Sequence, residues 1–370
     1  MDPTSDKTIC LAIMAKDEEG RIRRCFDTVK DQIDYWVVCD TGSTDGTVEV
    51  ARSFADEVPG EVHQVEWQDF GHNRTELLEL ARGKADYILT LDADEGLTGR
   101  IDRSRLTKPA YFVQYAGDLD YWVPYLVDGN REWRYTGVTH EFLEGLESWE
   151  WEKLPGARIL DWSDGSNRKG KFERDVELLR QALQEDPTDK RSMFYLANSF
   201  RDLRRWKEAE VWYLERIKAG GWREEVTCSF EELGRCYEMM KRPEQAIDTW
   251  IAGYEWDPSR AECLYNAVRL LRERGRNRTA WQLCKVANAI PYPKDDLLFV
   301  KRRVYELLIP YEVSLLAYYG NDEVDVWPLY QRLLESGQFD TAHLLHNYSF
   351  YVKKSHQRAH ISPEIAIFKA

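Results

Sequence analysis

Short apolar runs alternate with amphipathic helical stretches from residue 8 to about residue 125. The apolar runs predict strands at residues 8–14, 35–39, 62–65, 87–91, 110–115 and 121–127. Helical spacing between them predicts helices at residues 22–29, 48–54 and 73–82. Strands that alternate with helices in this way favour an α/β layer around a largely parallel sheet.

After about residue 171 the pattern changes to pairs of helices with a recurring period. Ala209, Ala246 and Ala280 hold matching places in three similar segments, spaced 37 and 34 residues apart. Asp-Pro pairs at 186–187 and 257–258 predict turns between repeats, because proline cannot continue a helix. This period resembles that of tetratricopeptide repeats. We therefore predict an α/β domain over residues 1–165 and an all-α repeat domain over residues 166–370.

Composition and charge limit the classes of function. The chain of 370 residues carries a net charge of −14, which argues against a broad basic surface for nucleic acid. No run of about 18 apolar residues occurs, so the sequence predicts no membrane-spanning helix. Seven cysteines without Cys-x-x-Cys pairs favour reduced thiols and a cytoplasmic protein.

Two carboxylates follow the predicted strand 87–91, in the motif Asp92-Ala93-Asp94-Glu95. At the carboxyl end of a strand they can direct oxygens beyond the sheet edge, where ligands of open α/β sheets bind. Mg²⁺ and Mn²⁺ prefer oxygen ligands and leave positions open for substrate phosphates. The alternative is a polar loop that caps the next helix.

Polar turns also follow the first two predicted strands, at residues 15–19 (AKDEE) and 40–47 (DTGSTDGT). Gly42 allows a left-handed backbone and a close approach to a ligand, and the helix that follows begins with an end that favours anions. A tight strand-to-helix turn without a ligand is the alternative. Together, three neighbouring strands would place such loops along one rim of the sheet.

The succession KDEE, VVCDTGSTDGT, WQDFGHNR and YILTLDADE resembles family 2 glycosyltransferases of the GT-A fold. With the helical repeats, the chain is similar to bacterial and phage members, including sublancin-type peptide S-glycosyltransferases. The resemblance implies that Asp40 contacts the base or ribose, that Arg74 approaches the base or diphosphate, and that Asp94 holds the metal-bound diphosphate. The nucleotide-sugar-binding residues that it suggests in these loops are Glu18, Asp40, Gly42, Ser43, Arg74 and Asp92. The family's Lys-Asn-Glu is here Lys16-Asp17-Glu18.

Residues 135–141 (YTGVTHE) resemble the Gly-x-x-His-Glu segment of some relatives. His140 could complete the metal shell with Asp94 or contact the diphosphate, although a lone histidine is more often structural. Glu141 could be the general base that removes the acceptor proton. Asp118, Asp120 and Asp128 are its rivals, and of these we select Asp120 alongside Glu141.

A locally basic, Gly-flanked segment at residues 164–174 contains Arg168 and Lys171. It could close over the donor diphosphate, so that both cations neutralise the leaving group. A solvated linker that starts a helix is the alternative.

These features predict a metal-dependent, inverting glycosyltransferase that uses Mn²⁺ or Mg²⁺ and a nucleotide-sugar donor, for which UDP-sugar is our choice. Family 2 resemblance implies one direct displacement. A peptide, a modified DNA base and a saccharide all remain open as acceptors, and the repeats could present the acceptor or form a homodimer. The other functions we consider are a scaffold with an inactive transferase domain and a nucleotidyltransferase.

Overall fold

The computed structural model describes residues 7–116, 121–145, 147, 150–165, 170–320 and 325–356. Within these residues a mixed sheet precedes a series of helices. The strands are β1 (Ile9–Ala15), β2 (Tyr35–Asp40), β3 (Gly60–Gln64), β4 (Tyr87–Asp92), β5 (Glu95–Gly99), β6 (Ala110–Tyr115), β7 (Trp122–Asp128), β8 (Tyr135–Thr136), β9 (Phe142–Leu143) and β10 (Trp151–Asp161).

Three α-helices lie between the first four strands, and the remainder follow β10. The helices are α1 (Ile22–Val29), α2 (Thr47–Ser53), α3 (Phe70–Ala81), α4 (Lys171–Glu185), α5 (Lys190–Asp202), α6 (Trp206–Ala219), α7 (Arg223–Met239), α8 (Pro243–Trp256), α9 (Glu262–Glu273), α10 (Asn277–Ala289), α11 (Ile309–Leu316), α12 (Trp327–Glu335) and α13 (Thr341–His356). In the part of the chain that is described, no helix is both long enough and apolar enough to span a membrane.

The main sheet has the strand order β3-β2-β1-β4-β7-β6-β10-β5, and β8 pairs with β9 separately. All six predicted strands form, and β1 to β4 are parallel as expected. The other half of the sheet is mixed, because β7 runs antiparallel to both β4 and β6. The sequence pattern missed β10, whose register shifts between Lys153 and Arg158 around Pro155 and Gly156. It also missed β5, which is short and contains two glycines.

The sheet is covered on both faces, and β1 explains why its sequence is uniformly apolar. Side chains alternate in direction along a strand, so neighbouring residues face opposite layers. Ile9, Leu11 and Ile13 pack in the core layer that contains α1. Cys10 and Ala12 pack in the opposite layer, with α3. Burial on both faces is typical of parallel strands in α/β proteins, and the predicted α/β class is confirmed.

The helices pair as the repeat pattern predicted, with α5 beside α6, α7 beside α8 and α9 beside α10. Ala209, Ala246 and Ala280 lie near the start of the second helix of each pair and are fully buried. A small side chain there lets the paired helices approach closely. In the second pair, a Cβ added to Gly234 would lie 2.2 Å from the Trp250 indole. The predicted helical-repeat region is therefore confirmed.

The two predicted Asp-Pro turns share one hydrogen-bonding pattern. After α4, the Asp186 carboxylate accepts from the backbone N–H (2.9 Å) and hydroxyl (2.6 Å) of Thr188. After α8, the Asp257 carboxylate accepts from the same two groups of Ser259, at 3.2 and 2.5 Å. Each aspartate thus ends a helix and fixes the turn that follows.

The described residues fall into two compact units. The first runs to Gly221 and includes Leu297–Val300, and the second comprises Trp222–Asp296 and the residues from Lys301 onwards. Helices α4, α5 and α6 therefore belong to the same compact unit as the sheet. The compact units reflect the density of contacts along the chain, and they need not coincide with a boundary between two domains. The predicted boundary between residues 165 and 166 therefore stays a prediction.

Candidate active site

The carboxyl ends of β1, β2 and β4 meet at one edge of the sheet. Ala15 pairs with Asp40 across β1 and β2, and Met14 pairs with Asp92 across β1 and β4. The loops after these strands are consequently neighbours. A pocket of about 270 Å³ opens at this edge. Its charged lining residues include Lys16, Glu18, Arg74, Asp92, Asp94 and Lys171.

Hydrogen bonds join the first two loops of this rim. The backbone N–H of Asp17 donates to the Ser43 hydroxyl (2.9 Å), and the Asp17 carboxylate accepts from the N–H of Thr44 (2.7 Å). The N–H of Glu18 donates to the Thr47 hydroxyl at 2.7 Å. Asp17 adopts a left-handed conformation, with φ of 56°, which aspartate tolerates better than most residues. The two loops therefore form one connected rim.

Arg74, on α3, lies between two carboxylates. Its Nη2 donates to Oδ1 of Asp92 at 2.6 Å, and its Nε forms an ion pair with Glu141. The side chains of Arg74 and Glu141 are only 12% and 11% exposed. Burial lowers the pKa of Arg74, but the charges of Asp92 and Glu141 raise it, and the net shift is well above the ordinary value. Arg74 is therefore a permanent cation that links two predicted site residues.

The segment that carries His140 and Glu141 is held against the beginning of α3. The N–H of Phe70 donates to the carbonyl of Val138 at 3.2 Å. A Cβ added to Gly71 would lie 2.4 Å from the carbonyl oxygen of Gly137, so only glycine allows this approach. The GHNR and GVTHE motifs are thereby fixed to each other.

Asp94 is placed by the loop that follows β10. The N–H of Gly165 donates to its Oδ2 at 2.8 Å, and the N–H of Trp162 donates to its carbonyl at 3.2 Å. Asp92 and Asp94 both line the pocket with carboxylate oxygens, the donor type that Mg²⁺ and Mn²⁺ prefer. These residues thus fit a divalent cation that also binds substrate phosphates. Among the described residues, no three His, Cys, Asp or Glu side chains group as a preformed metal site.

The first loops of this site lie in a region of the chain that matches a known family. Residues 10–137 match the model of the family described as glycosyl transferase family 2. Over these residues the chain is similar to family 2 glycosyltransferases. The match includes β1 to β4 and the residues Glu18, Arg74, Asp92 and Asp94, and it ends just before His140 and Glu141. The predicted resemblance, a family 2 domain of GT-A fold followed by helical repeats, is confirmed.

Two curated relatives are similar to this chain over more than half of its length. A TPR repeat-containing protein of Synechococcus elongatus is 27% identical over 310 residues, which cover 76% of this chain and 75% of the relative. The SPbeta prophage-derived glycosyltransferase SunS of Bacillus subtilis is 25% identical over 232 residues. That alignment covers 56% of this chain and 53% of SunS, so this chain matches only about half the length of that relative.

A solved structure is also similar to part of the chain. The S. aureus TarS 1-349 structure in complex with UDP-GlcNAc is 12% identical, covers 65% of this chain and 89% of that chain, and gives a TM-score of 0.36. At that score the likeness carries no argument about fold or ligand.

The loop that was predicted to contact the nucleotide follows β2, and Asp40 at its start is fully buried. Both of its carboxylate oxygens accept from the N–H of Ser43 at 3.3 Å. Gly42 is left-handed, with φ of 98°, and Thr41 lines the pocket. In this conformation Asp40 and Ser43 shape the loop, and their predicted contacts with the nucleotide stay predictions.

The predicted bases differ in their surroundings. Glu141 is paired with Arg74, while Asp118 and Asp120 lie outside the described residues. Asp128 pairs with Tyr87, the first residue of β4, and so lies at the opposite edge of the sheet from Asp92. That position disfavours Asp128 as a base. The choice between Glu141 and Asp120 stays a prediction.

The basic segment is described only in part. Arg168 lies outside the described residues, whereas Lys171, the first residue of α4, lines the pocket. Arg174, one turn further along α4, lines it too and was not among the predicted residues. Its spacing from Lys171 on a helix was the sequence signal that could have identified it.

Glu95 was also missed, although it belongs to the DADE motif. It is buried, and its carboxyl group accepts from the hydroxyls of Tyr115 (2.5 Å) and Tyr125 (3.2 Å) and from the N–H of Asp92 (2.9 Å). Burial, and then the nearby charge of Asp92, raise the pKa of Glu95 to about 8. Both tyrosines come from strands distant in sequence, so the local motif could not indicate this environment.

Proposed function

We propose that this chain is an inverting, metal-dependent glycosyltransferase that takes a sugar from a UDP-sugar. The observation that carries the proposal is the pocket at the carboxyl edge of β1, β2 and β4, where three carboxylates of the region similar to family 2 lie with several cations. A nucleoside diphosphate needs both kinds of group, because its anionic oxygens are neutralised by side-chain cations and by a metal ion.

The charges in the pocket suggest how a departing diphosphate would be stabilised. Arg74 is already neutralised by Asp92 and Glu141. Lys16, Lys171 and Arg174 also line the pocket, and two of these lie on the first turn of α4. Mn²⁺ or Mg²⁺, bound through Asp94, would add further positive charge next to the leaving group. Lys171 and Arg174 would then stabilise the negative charge that develops as the glycosidic bond breaks.

Inversion requires one displacement, in which a base removes the proton of the acceptor nucleophile. Glu141 and Asp120 are the two residues that we propose for this step. Glu141 lies beside Arg74 and would have to release that cation, or share it with the donor, to accept a proton. Asp120 lies outside the described residues, so Glu141→Gln and Asp120→Asn should be compared directly for transfer and for donor hydrolysis.

We propose a macromolecular acceptor, either a peptide or modified DNA, with a saccharide as the remaining choice. Helical-repeat regions form extended binding surfaces, and the helix pairs of this chain form such a region. The mass of the product would identify the acceptor, since each class gains one sugar of known mass. Size-exclusion chromatography with light scattering would test the proposed homodimer.

The identity of the donor is tested by the melting temperature of the protein with UDP-, GDP- and dTDP-sugars, each with and without Mn²⁺ or Mg²⁺. A ligand that binds the native state raises the melting temperature. We expect the largest shift with a UDP-sugar and Mn²⁺, and metal-dependent release of UDP. Stabilisation by nucleoside triphosphates alone would favour a nucleotidyltransferase. Stabilisation by none of these ligands would favour an inactive scaffold.

Asp94→Asn tests the role of the metal without a change in side-chain shape. We expect UDP release to fall about 100- to 1,000-fold, since charge stabilisation by a metal contributes several kcal/mol. Asp56→Asn is the matched control, because Asp56 is exposed and does not line the pocket. Equal rates in the two variants would remove the assignment of Asp94.

A further inference from the structure

His140 is held in one orientation by its neighbours. Its backbone is left-handed, with φ of 52°, and its ring stacks on Tyr195 of α5, with centroids 4.1 Å apart and planes inclined by 5°. Arg191 donates from Nε to the carbonyl of His140 at 2.8 Å. The ring is 31% exposed, so one part of it remains accessible. A residue that is strained and stacked in this way has little freedom to rotate.

The buried carboxylate of Asp175 faces this ring. Asp175 lies on α4 and is fully buried, and its Oδ2 is 3.6 Å from Nε2 of His140. Oδ1 accepts from the hydroxyl of Thr139 at 3.4 Å. Within the described part of the chain, no donor forms a hydrogen bond with Oδ2. A buried carboxylate oxygen without a donor is costly, and a proton on Nε2 is well placed to reduce that cost.

The same helix connects this pair to the pocket. Arg174, the residue before Asp175, lines the pocket, as does Lys171. His140 therefore contacts the helix whose first turn lines the pocket, although the ring itself is not among the lining residues. An imidazole whose one nitrogen donates to a carboxylate presents the other nitrogen, with its lone pair, to a metal ion.

We propose that Asp175 is a positioning residue that holds the proton of His140 on Nε2, so that Nδ1 is the atom that meets the phosphate-bound cation. This inference rests on the proposed function, because it assumes a metal-bound nucleoside diphosphate at the rim. It adds Asp175 and Tyr195, two residues of the helical region, to the structure that supports the site. Neither residue contacts substrate in the proposal, and each acts through His140.

Nuclear magnetic resonance of ¹⁵N-histidine-labelled protein tests the contact without any turnover. The signals of His140 are assigned by their loss in His140→Gln. We expect the wild-type ring to carry its proton on Nε2, as a protected and downfield-shifted N–H. Asp175→Leu removes the acceptor and should abolish this protection, whereas Asp175→Asn keeps one acceptor oxygen and should retain part of it. A proton on Nδ1 in the wild-type protein would overturn the proposal with no variant needed.

Mn²⁺ binding in the presence of UDP provides the second measurement, with free Mn²⁺ followed by electron paramagnetic resonance. Loss of a carboxylate behind a metal-binding histidine weakens metal affinity roughly 10- to 100-fold, so we expect at least a tenfold loss in Asp175→Leu. The control is Glu177→Gln, an exposed acid on the same helix, which should bind within twofold of the wild type.

The two measurements separate the possible failures. An unchanged His140 signal in a folded Asp175→Leu protein, or equal loss of Mn²⁺ affinity in Glu177→Gln, would refute the role of Asp175. If the wild-type protein binds neither UDP nor Mn²⁺, the proposed function fails. In that case the proposed role of Asp175 in cation binding fails as well, even if the ring signal shows that Asp175 contacts His140.

Discussion

Two buried glutamates, one in each compact unit, have opposite surroundings. Glu95, in the sheet unit, lies among tyrosine hydroxyls and beside Asp92, and its pKa is raised to about 8 by burial and by that neighbouring charge. Glu231, in the second unit, accepts from Lys301 Nζ at 2.6 Å and from Arg235 at 3.0 Å. Burial alone raises the pKa of Glu231, but the charges of Lys301 and Arg235 lower it to about 2.

The difference indicates what each region does with buried charge. In the second unit the buried charges pair with each other. Arg260 and Glu262 are each 1% exposed and form two hydrogen bonds, at 3.0 and 3.1 Å. At the rim of the sheet, Asp92 and Asp94 instead line an open pocket together with Lys16, Lys171 and Arg174, so their charges face a space that a ligand can enter. The buried acids of the second unit are thus paired within a structural network, whereas the carboxylates at the rim face an open pocket.

Replacement of a buried arginine in each region should give the largest effects. Arg74→Met leaves Asp92 and Glu141 without their cation, and Arg260→Met does the same to Glu262 and Asp296. Removal of one partner from a buried ion pair costs about 3–5 kcal/mol, so urea unfolding should show a similar loss of stability for both variants.

Binding of UDP with Mn²⁺ separates these two variants at a temperature where both are folded. We expect Arg74→Met to lose binding, because Asp92 and Glu141 lose the cation that orients them, and Arg260→Met to bind like the wild type. If Arg260→Met lost binding to the same extent, the contrast between ligand site and structural network would be wrong.

Acid should weaken the network of the second unit through Glu231. Its folded pKa of about 2 lies below the unfolded value near 4.5, so its contribution is complete above about pH 4.5 and is lost as pH falls towards 2. A shift of this size corresponds to roughly 3 kcal/mol. Urea unfolding between pH 7 and pH 2.5 should show the advantage of the wild type over Glu231→Gln shrinking in acid. For the exposed Glu255→Gln, the difference should be small at every pH.

Glu95→Gln should have the smallest effect. With a pKa of about 8, the Glu95 carboxyl group is mostly neutral at pH 7, and glutamine keeps its shape and an acceptor oxygen. We expect a change in unfolding free energy below about 1 kcal/mol, whereas Glu95→Leu leaves the N–H of Asp92 and two hydroxyls without an acceptor and should cost about 1–3 kcal/mol. Equal destabilisation by the two substitutions would contradict this expectation.

The sequence predicted those parts of the fold whose signals are local. The apolar runs of β1, β2 and β4 and the buried alanines of the helix pairs all follow from short-range periodicity. Strand β10 was missed because Pro155 and Gly156 interrupt its pattern, and its place in the sheet depends on pairing with β5 and β6. Local pattern cannot reveal pairing between residues that are far apart in the chain.

The site shows the same limit. The loops after β1, β2 and β4 could be predicted to meet, because parallel strands place their carboxyl ends at one edge. The ion pair between Arg74 and Glu141 joins residues 67 positions apart, and Asp175 and Tyr195 reach His140 from helices that were assigned to the repeat domain. The sequence alone could not predict these contacts, because each joins residues that are far apart in the chain.

The hydrogen bonds between Asp17, Ser43 and Thr44 have a consequence for how a nucleotide would enter. Much of the flexibility that these loops could have had is already removed when the protein folds. Binding of a nucleotide therefore costs little free energy for ordering this part of the rim. Differences in hydrogen bonding between nucleotides then appear directly as differences in affinity.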